Sequence, residues 1–205
     1  MKLLKPIQEY IETLDTASIS EERKNVLQPL VEYINLKVRD RQTIQLNFIC
    51  THNSRRSHLA QVWAQTMVPY FNVPNVECFS GGTETTAVYP MIIETLENAG
   101  FQISKEGDSK NPIYSINYSL EEKPIIAFSK KYDDDFNPQS AFAAIMTCSQ
   151  ADGGCPFVAG SEKRISIMYE DPKVSDGTLQ QKEVYLERSE QIATEMKYVF
   201  SQINS

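Results

Sequence analysis

Cys50 and Arg56 stand six residues apart in the stretch FICTHNSRRSHLAQ, residues 48–61. A thiol followed by Thr51, His52, Asn53, Ser54, Arg55, Arg56 and Ser57 can build an anion site around a nucleophile. The backbone N–H groups of a tight loop, backed by a helix N-terminus, suit a tetrahedral oxyanion. The planar guanidinium of Arg56 would grip two of its oxygens. The same positive surroundings favour the thiolate, which is the reactive form of cysteine, and Ser57 could donate a hydrogen bond to it. Asn53 tolerates a left-handed backbone and would hold the loop in shape. The plainer alternative is an ordinary polar turn that contains a cysteine.

Such a site needs a strand that ends at Cys50 and a helix that opens near Ser57. The sequence supplies both. TIQLNFI (43–49) reads as a strand and Ser57–Tyr70 as a helix, followed by a second strand, NVECFS, that ends in Gly81-Gly82. Val88–Ala99 reads as a helix stopped by Gly100 in the position where left-handed glycine ends helices. PIYSINYSL and PIIAFS are short β-rich runs separated by Glu121-Glu122-Lys123, a hairpin-like insertion. SAFAAIMTC and RISIMYED are two further strands. A long helix starts near Leu179, with Thr178 and Gln181 spaced as a capping box and Tyr185, Ile192, Met196, Val199 and Ile203 on its buried face. Strands alternating with helices predict an α/β three-layer sandwich with a mainly parallel central sheet. Ligands bind such sheets at the carboxyl ends of the strands, where Cys50 falls.

Residues 1–42 differ in style and are read as an N-terminal helical extension to a catalytic domain at 43–205. Leu3, Leu4, Ile7, Ile11 and Leu14 recur at helical spacing, and Val26, Leu27, Leu30, Val31 and Ile34 make a second stripe. Ser18 and Glu21 are spaced as a capping box, and Pro29 should kink or split the second helix. The extension could cover a sheet edge, mediate a homodimer, or form a solvent-facing helical hairpin.

A net charge of −7 over 205 residues argues against a nucleic-acid surface. No apolar run reaches the ~18 residues of a membrane span. The N-terminal MKLLKPIQEYIETLD lacks the features of a signal peptide, so a cytoplasmic location is expected. Cys50, Cys78, Cys148 and Cys155 are then expected to be reduced thiols that serve catalysis, metal binding or packing. Cys78 lies inside a β-rich run and reads as core; His58 reads as a surface histidine, and Asp133–Asp135 as a solvated loop.

CTHNSRRS at 50–57 resembles the phosphate-binding loop of low-molecular-weight protein tyrosine phosphatases and of the thioredoxin-coupled arsenate reductases that share their fold. CSQADGGCP at 148–156 is similar to the redox segment of the reductases. YEDPKVSDGT at 169–178 is similar to the Asp-Pro loop of both branches, and residues 77–104 follow the family's second strand and helix. The resemblance spans roughly 43–205. It implies that Cys50 is the nucleophile and that Arg56 and residues 51–57 hold the oxyanion. Asp171 would be the general acid, whereas an Asp-Pro turn alone would be read as structural. It further implies that Cys148 attacks the Cys50 adduct and Cys155 resolves the resulting disulfide, leaving a Cys148–Cys155 pair for thioredoxin or a similar thiol reductant. Gly153 and Gly154 suit a segment that must rearrange. Arg55 stands where many relatives carry a second loop cysteine and would add positive charge at the mouth; His52, where the family often has glycine, would alter the rim. Gln61 stands where relatives with a potassium site carry an acid, so no bound cation is expected; no cofactor is expected either. Arsenate reduction is the leading reading. Hydrolysis of phosphate monoesters through a cysteinyl phosphate is the alternative, and non-catalytic oxyanion binding is the third.

Overall fold

A computed structural model of the chain describes residues 2–154 and 157–204. Its helices are α1 (Lys5–Thr13), α2 (Glu21–Arg39), α3 (Arg56–Tyr70), α4 (Pro90–Asn98), α5 (Ser149–Gly154) and α6 (Gln181–Ser201). Its strands are β1 (Ile44–Cys50), β2 (Val76–Gly82), β3 (Gln102–Glu106), β4 (Ile113–Asn117), β5 (Ile125–Ala127), β6 (Phe142–Met146) and β7 (Ser161–Ser166). The central sheet is parallel, in the order β2-β1-β6-β7. β3, β4 and β5 form a separate antiparallel sheet. The expected α/β architecture with helices flanking a parallel sheet is therefore present.

Side chains alternate across a strand, so a sheet covered on both faces needs apolar residues at nearly every position. β6 shows this plainly. Ala143 and Ile145 join the larger apolar cluster, whereas Phe142, Ala144 and Met146 join a smaller one on the other face. The larger cluster lies under α1, α2, α3, α4 and α6; the smaller one is closed by Ala151 of α5, Val158 and the flank of Tyr132. Strand β1 sits in the middle, buried at six of its seven positions, with its carboxyl end between those of β2 and β6.

The N-terminal helices are not a solvent-facing hairpin. Leu3, Ile7, Ile11, Leu27, Leu30 and Ile34 are buried in the same cluster as Trp63 of α3 and Ile192 of α6. Tyr10 stacks on Trp63 with ring centroids 5.4 Å apart. Lys197 Nζ donates to the carbonyls of Ile11 and Leu14, both at 2.9 Å, at the C-terminal end of α1. Leu4 N–H donates to the Tyr118 carbonyl, tying the first residues to the end of β4.

Four local expectations change. Pro29 does not split α2, which runs unbroken from Glu21 to Arg39; the carbonyl that a proline strands, four residues back, belongs to exposed Asn25, where water can reach it. The cap of α2 is Ser20, whose hydroxyl accepts from Arg23 N–H, not Ser18. Ser18 is already engaged, donating to the Asp15 carbonyl within a 3-10 turn. At α6 the Thr178–Gln181 box does not form either: Thr178 donates to the Ser175 carbonyl, and Gln181 accepts from Gly177 N–H. β3 and α5 carry no strong periodicity and were not expected. The hairpin-like insertion is β4 and β5, extended by β3 into a three-stranded sheet.

Candidate active site

Residues 51–55 turn between the end of β1 and the start of α3. Asn53 occupies the left-handed region, with φ of 43°, as its residue type allows. It fastens the loop three ways. Its side-chain amide donates to Ser57 Oγ at 2.9 Å, its Oδ1 accepts from Lys130 N–H at 2.9 Å, and its carbonyl lies 2.9 Å from His58 Nε2. Ser57 Oγ is in turn 3.1 Å from Cys50 Sγ. Because Ser57 already accepts from Asn53, its own proton is free to point at the sulfur, an arrangement that suits a thiolate.

The carbonyls of this loop face outward and are engaged. Those of Cys50 and Thr51 accept from the amides of Thr83 and Glu84, that of His52 from Ser129 Oγ, and that of Ser54 from Tyr89 N–H. Among the described residues no protein acceptor meets the amides of residues 52–55, so these donors remain for a ligand. Gly82, at the end of β2, packs against the loop backbone. A Cβ there would lie 2.7 Å from both Asn53 N and Thr51 O, a contact no side chain can make.

Arg56, the first residue of α3, has a side chain only 10% exposed. Its Nη1 donates to the Tyr169 carbonyl at 3.1 Å and its Nη2 to Asp171 Oδ2 at 2.6 Å, while its Nε has no partner among the described residues. Asp171 caps the 3-10 turn Pro172–Ser175, its Oδ1 accepting from Lys173 N–H. The cleft between these groups holds about 640 Å³ and is lined by Arg56, Cys148, Gln150, Met168, Asp171 and Val174, among others.

Cys148 reaches the same place from the neighbouring strand. Thr147, just past β6, binds the Ile49 carbonyl through both its amide (2.8 Å) and its hydroxyl (2.9 Å), which pins the two strand ends together. Cys148 Sγ then lies 3.5 Å from Thr51 Oγ1 and accepts from Ala151 N–H at 3.4 Å. Cys50 and Cys148 share the smaller apolar cluster, and both are free, buried thiols. Cys155 lies outside the described residues. Just before it, Gly153 and Gly154 face open space, with nothing within 4 Å of where a Cβ would sit.

Several residues lie elsewhere than the sequence suggests. The guanidinium of Arg55 does not point to the mouth: Nη2 binds Asp176 Oδ2 at 2.7 Å and Nε donates to Tyr185 OH at 2.6 Å. His58 is fully buried, not on the surface. Its Nε2 and the Asn53 carbonyl leave Nδ1 to accept from Ser80 Oγ at 3.3 Å, which defines a neutral tautomer. Burial, with Lys130 nearby, lowers its pKa to about 3. His52 is a half-exposed rim residue beside Glu84 at 3.3 Å. Cys78 is core, and burial pushes its thiol well up. Lys130 was missed altogether. Its ammonium lies 4.5 Å from the Phe128 ring centroid and 5.2 Å from that of Phe136, and burial lowers its pKa to about 8. Nothing in SKKYDDD distinguishes it from a surface lysine. Among the described residues no three His, Cys, Asp or Glu side chains gather as a metal-binding group, and no helix is long and apolar enough to cross a membrane.

Known proteins are similar to this chain in sequence or in fold. Arsenate reductase 1 of Staphylococcus saprophyticus is 31% identical over 134 residues, 65% of this chain and 80% of that protein. The low-molecular-weight protein tyrosine phosphatase from T. tengcongensis superposes with a TM-score of 0.54 at 16% identity, covering 78% of this chain and all of that one. The structure titled an arsenate reductase in the phosphate binding state superposes with a TM-score of 0.50 at 19% identity, covering 79% and 100%. No protein-family model matches the chain. The chain belongs to the superfamily of low-molecular-weight protein tyrosine phosphatases and arsenate reductases.

Proposed function

We propose that this enzyme reduces arsenate to arsenite, with Cys50 as nucleophile and a thiol relay through Cys148 and Cys155 that thioredoxin or a similar dithiol recharges. The observation that carries this reading is the presence of two buried free thiols at the ends of adjacent parallel strands, with the hydroxyl of Thr51, the residue after Cys50, 3.5 Å from Cys148 Sγ. A hydrolase needs one cysteine; a two-electron reduction needs a second within reach.

The chemistry follows from the groups at hand. The amides of the loop and Arg56 hold the oxyanion, and the Cys50 thiolate attacks arsenic. Asp171, displaced from Arg56 by the incoming anion, protonates the departing oxygen, which leaves as water. The Cys148 thiolate then attacks Cys50 Sγ. The sulfur–arsenic bond breaks, its electron pair stays on arsenic, and arsenite departs as the Cys50–Cys148 disulfide forms. Arsenate and two thiols thus give arsenite, a disulfide and water. Attack by Cys155 on Cys148 frees Cys50 and leaves a Cys148–Cys155 disulfide for exchange with the external dithiol.

Hydrolysis of a phosphate monoester uses only Cys50, Arg56 and Asp171, with water in place of Cys148. Cys148→Ser separates the two. The reductase reading expects multiple turnover of arsenate to vanish while inorganic phosphate still binds as in the wild type. Unchanged turnover of an aryl phosphate by Cys148→Ser, with no arsenate reduction by the wild type, would make the protein a phosphatase.

A further inference from the structure

Asp171 and Asp176 bracket a single 3-10 turn, Pro172–Ser175, and each is held by one of two consecutive arginines from the anion loop. Arg56 binds Asp171 at 2.6 Å; Arg55 binds Asp176 at 2.7 Å. The two ties differ in what competes for them. The Arg56 fork is what an oxyanion would take, so ligand binding breaks that tie. The Arg55 fork is engaged elsewhere through Nε and Nη2. Its Nε donates to Tyr185 OH at 2.6 Å, and that hydroxyl donates to Asp176 Oδ1 at 2.7 Å, closing a three-membered cycle. The guanidinium also lies 4.0 Å from the Tyr89 ring centroid, and Tyr89 stacks on Tyr185 at 5.7 Å. Only 12% of the Arg55 side chain and 24% of Asp176 are exposed, so this pair is shielded in a way surface ion pairs are not. A lysine could not reproduce the fork and the ring stack together.

We propose that Arg55 is a positioning residue: through Asp176 and Tyr185 it holds the Asp171 turn beside the anion loop while Arg56 is occupied by the oxyanion. Without it, capture of the substrate would release the general acid at the moment it is needed. This rests on Asp171 being that acid and on the loop being an anion site.

The test is hydrogen exchange of the turn amides of Val174, Asp176 and Thr178, which donate to the carbonyls of Asp171, Lys173 and Ser175, with and without saturating inorganic phosphate. In the wild type, protection persists in both states. In Asp176→Asn, and in Arg55→Met as a second variant, protection without phosphate stays within about threefold of the wild type, because the Arg56–Asp171 tie remains. With phosphate bound, exchange of these amides accelerates at least tenfold. Phosphate affinity of both variants stays within about threefold of the wild type. Equal loss of protection with and without phosphate would overturn the proposal, since a general structural prop behaves that way. So would undiminished protection in the phosphate complex, or a tenfold loss of phosphate affinity in Arg55→Met, which would make Arg55 an anion ligand. Failure of the wild type to bind phosphate would instead remove the anion-site reading beneath it.

Discussion

The anion loop and the segment that carries Cys148 meet at one cleft but are built to opposite standards. From Cys50 to Ser57, carbonyls are engaged, Asn53 is fastened at three atoms, and Gly82 brings a neighbouring backbone closer than any side chain would permit. The Cys148 segment is a six-residue helix, held mainly through Asp152, whose carboxylate accepts from Ser166 Oγ at 2.6 Å and pairs with Arg164 at 2.5 Å. It ends on two glycines in open space. Holding a tetrahedral anion demands donors fixed before it arrives. Passing a disulfide along a chain of thiols demands a segment that can change shape, and glycine imposes the least resistance to that.

The most damaging change to the loop is Cys50→Ser. Phosphate affinity should survive, because the proposed binding groups, the loop amides and Arg56, are untouched, while turnover of arsenate or of any phosphate ester falls at least ~10³-fold. Residual turnover near wild type would remove Cys50 from the nucleophile's role. In the other region, replacing Gly153 and Gly154 together by alanine favours the helical form by about 1 kcal/mol per residue. Phosphate binding should not change, yet formation of the Cys148–Cys155 disulfide, followed by quenched alkylation, should slow about tenfold to thirtyfold. An unchanged rate would mean that α5 need not unwind.

The smallest predicted effect concerns the floor of the loop. His58 is held neutral with its pKa lowered from 6.5 to about 3, so the unfolded chain takes up a proton that the folded one refuses. That stability is fully present above pH 6.5 and is lost as the pH falls towards 3, amounting to about 2 kcal/mol by pH 5. Urea unfolding of wild type and His58→Gln at pH 7 and pH 5 checks it: the variant should lose about 2 kcal/mol less between the two. Parallel losses would show that His58 is not the group that titrates.

The same contrast explains what could be read in advance. The Cys50–Ser57 loop was legible because its chemistry is contiguous: a strand end, a left-handed asparagine and a helix start follow one another in the chain. Arg55 and His58 were misread because their surroundings come from far away in sequence. Arg55 is directed by Asp176 and Tyr185, more than a hundred residues on, and His58 is buried against Ser80 of β2. The apolar stripes of α1 and α2 were visible as periodicity, but not that α3 and α6 would cover them. The spacing of Ser18 to Glu21 reads as the cap of α2, but the Ser18 hydroxyl is turned back to the Asp15 carbonyl and Ser20 caps the helix instead.

The relay itself is tested most directly by mass spectrometry of the reduced protein, incubated with and without arsenate and then blocked at its free thiols. An arsenate-dependent Cys148–Cys155 disulfide that thioredoxin reverses is the predicted result. Four free thiols after exposure to arsenate, with a phosphate ester hydrolysed by the same sample, would contradict it.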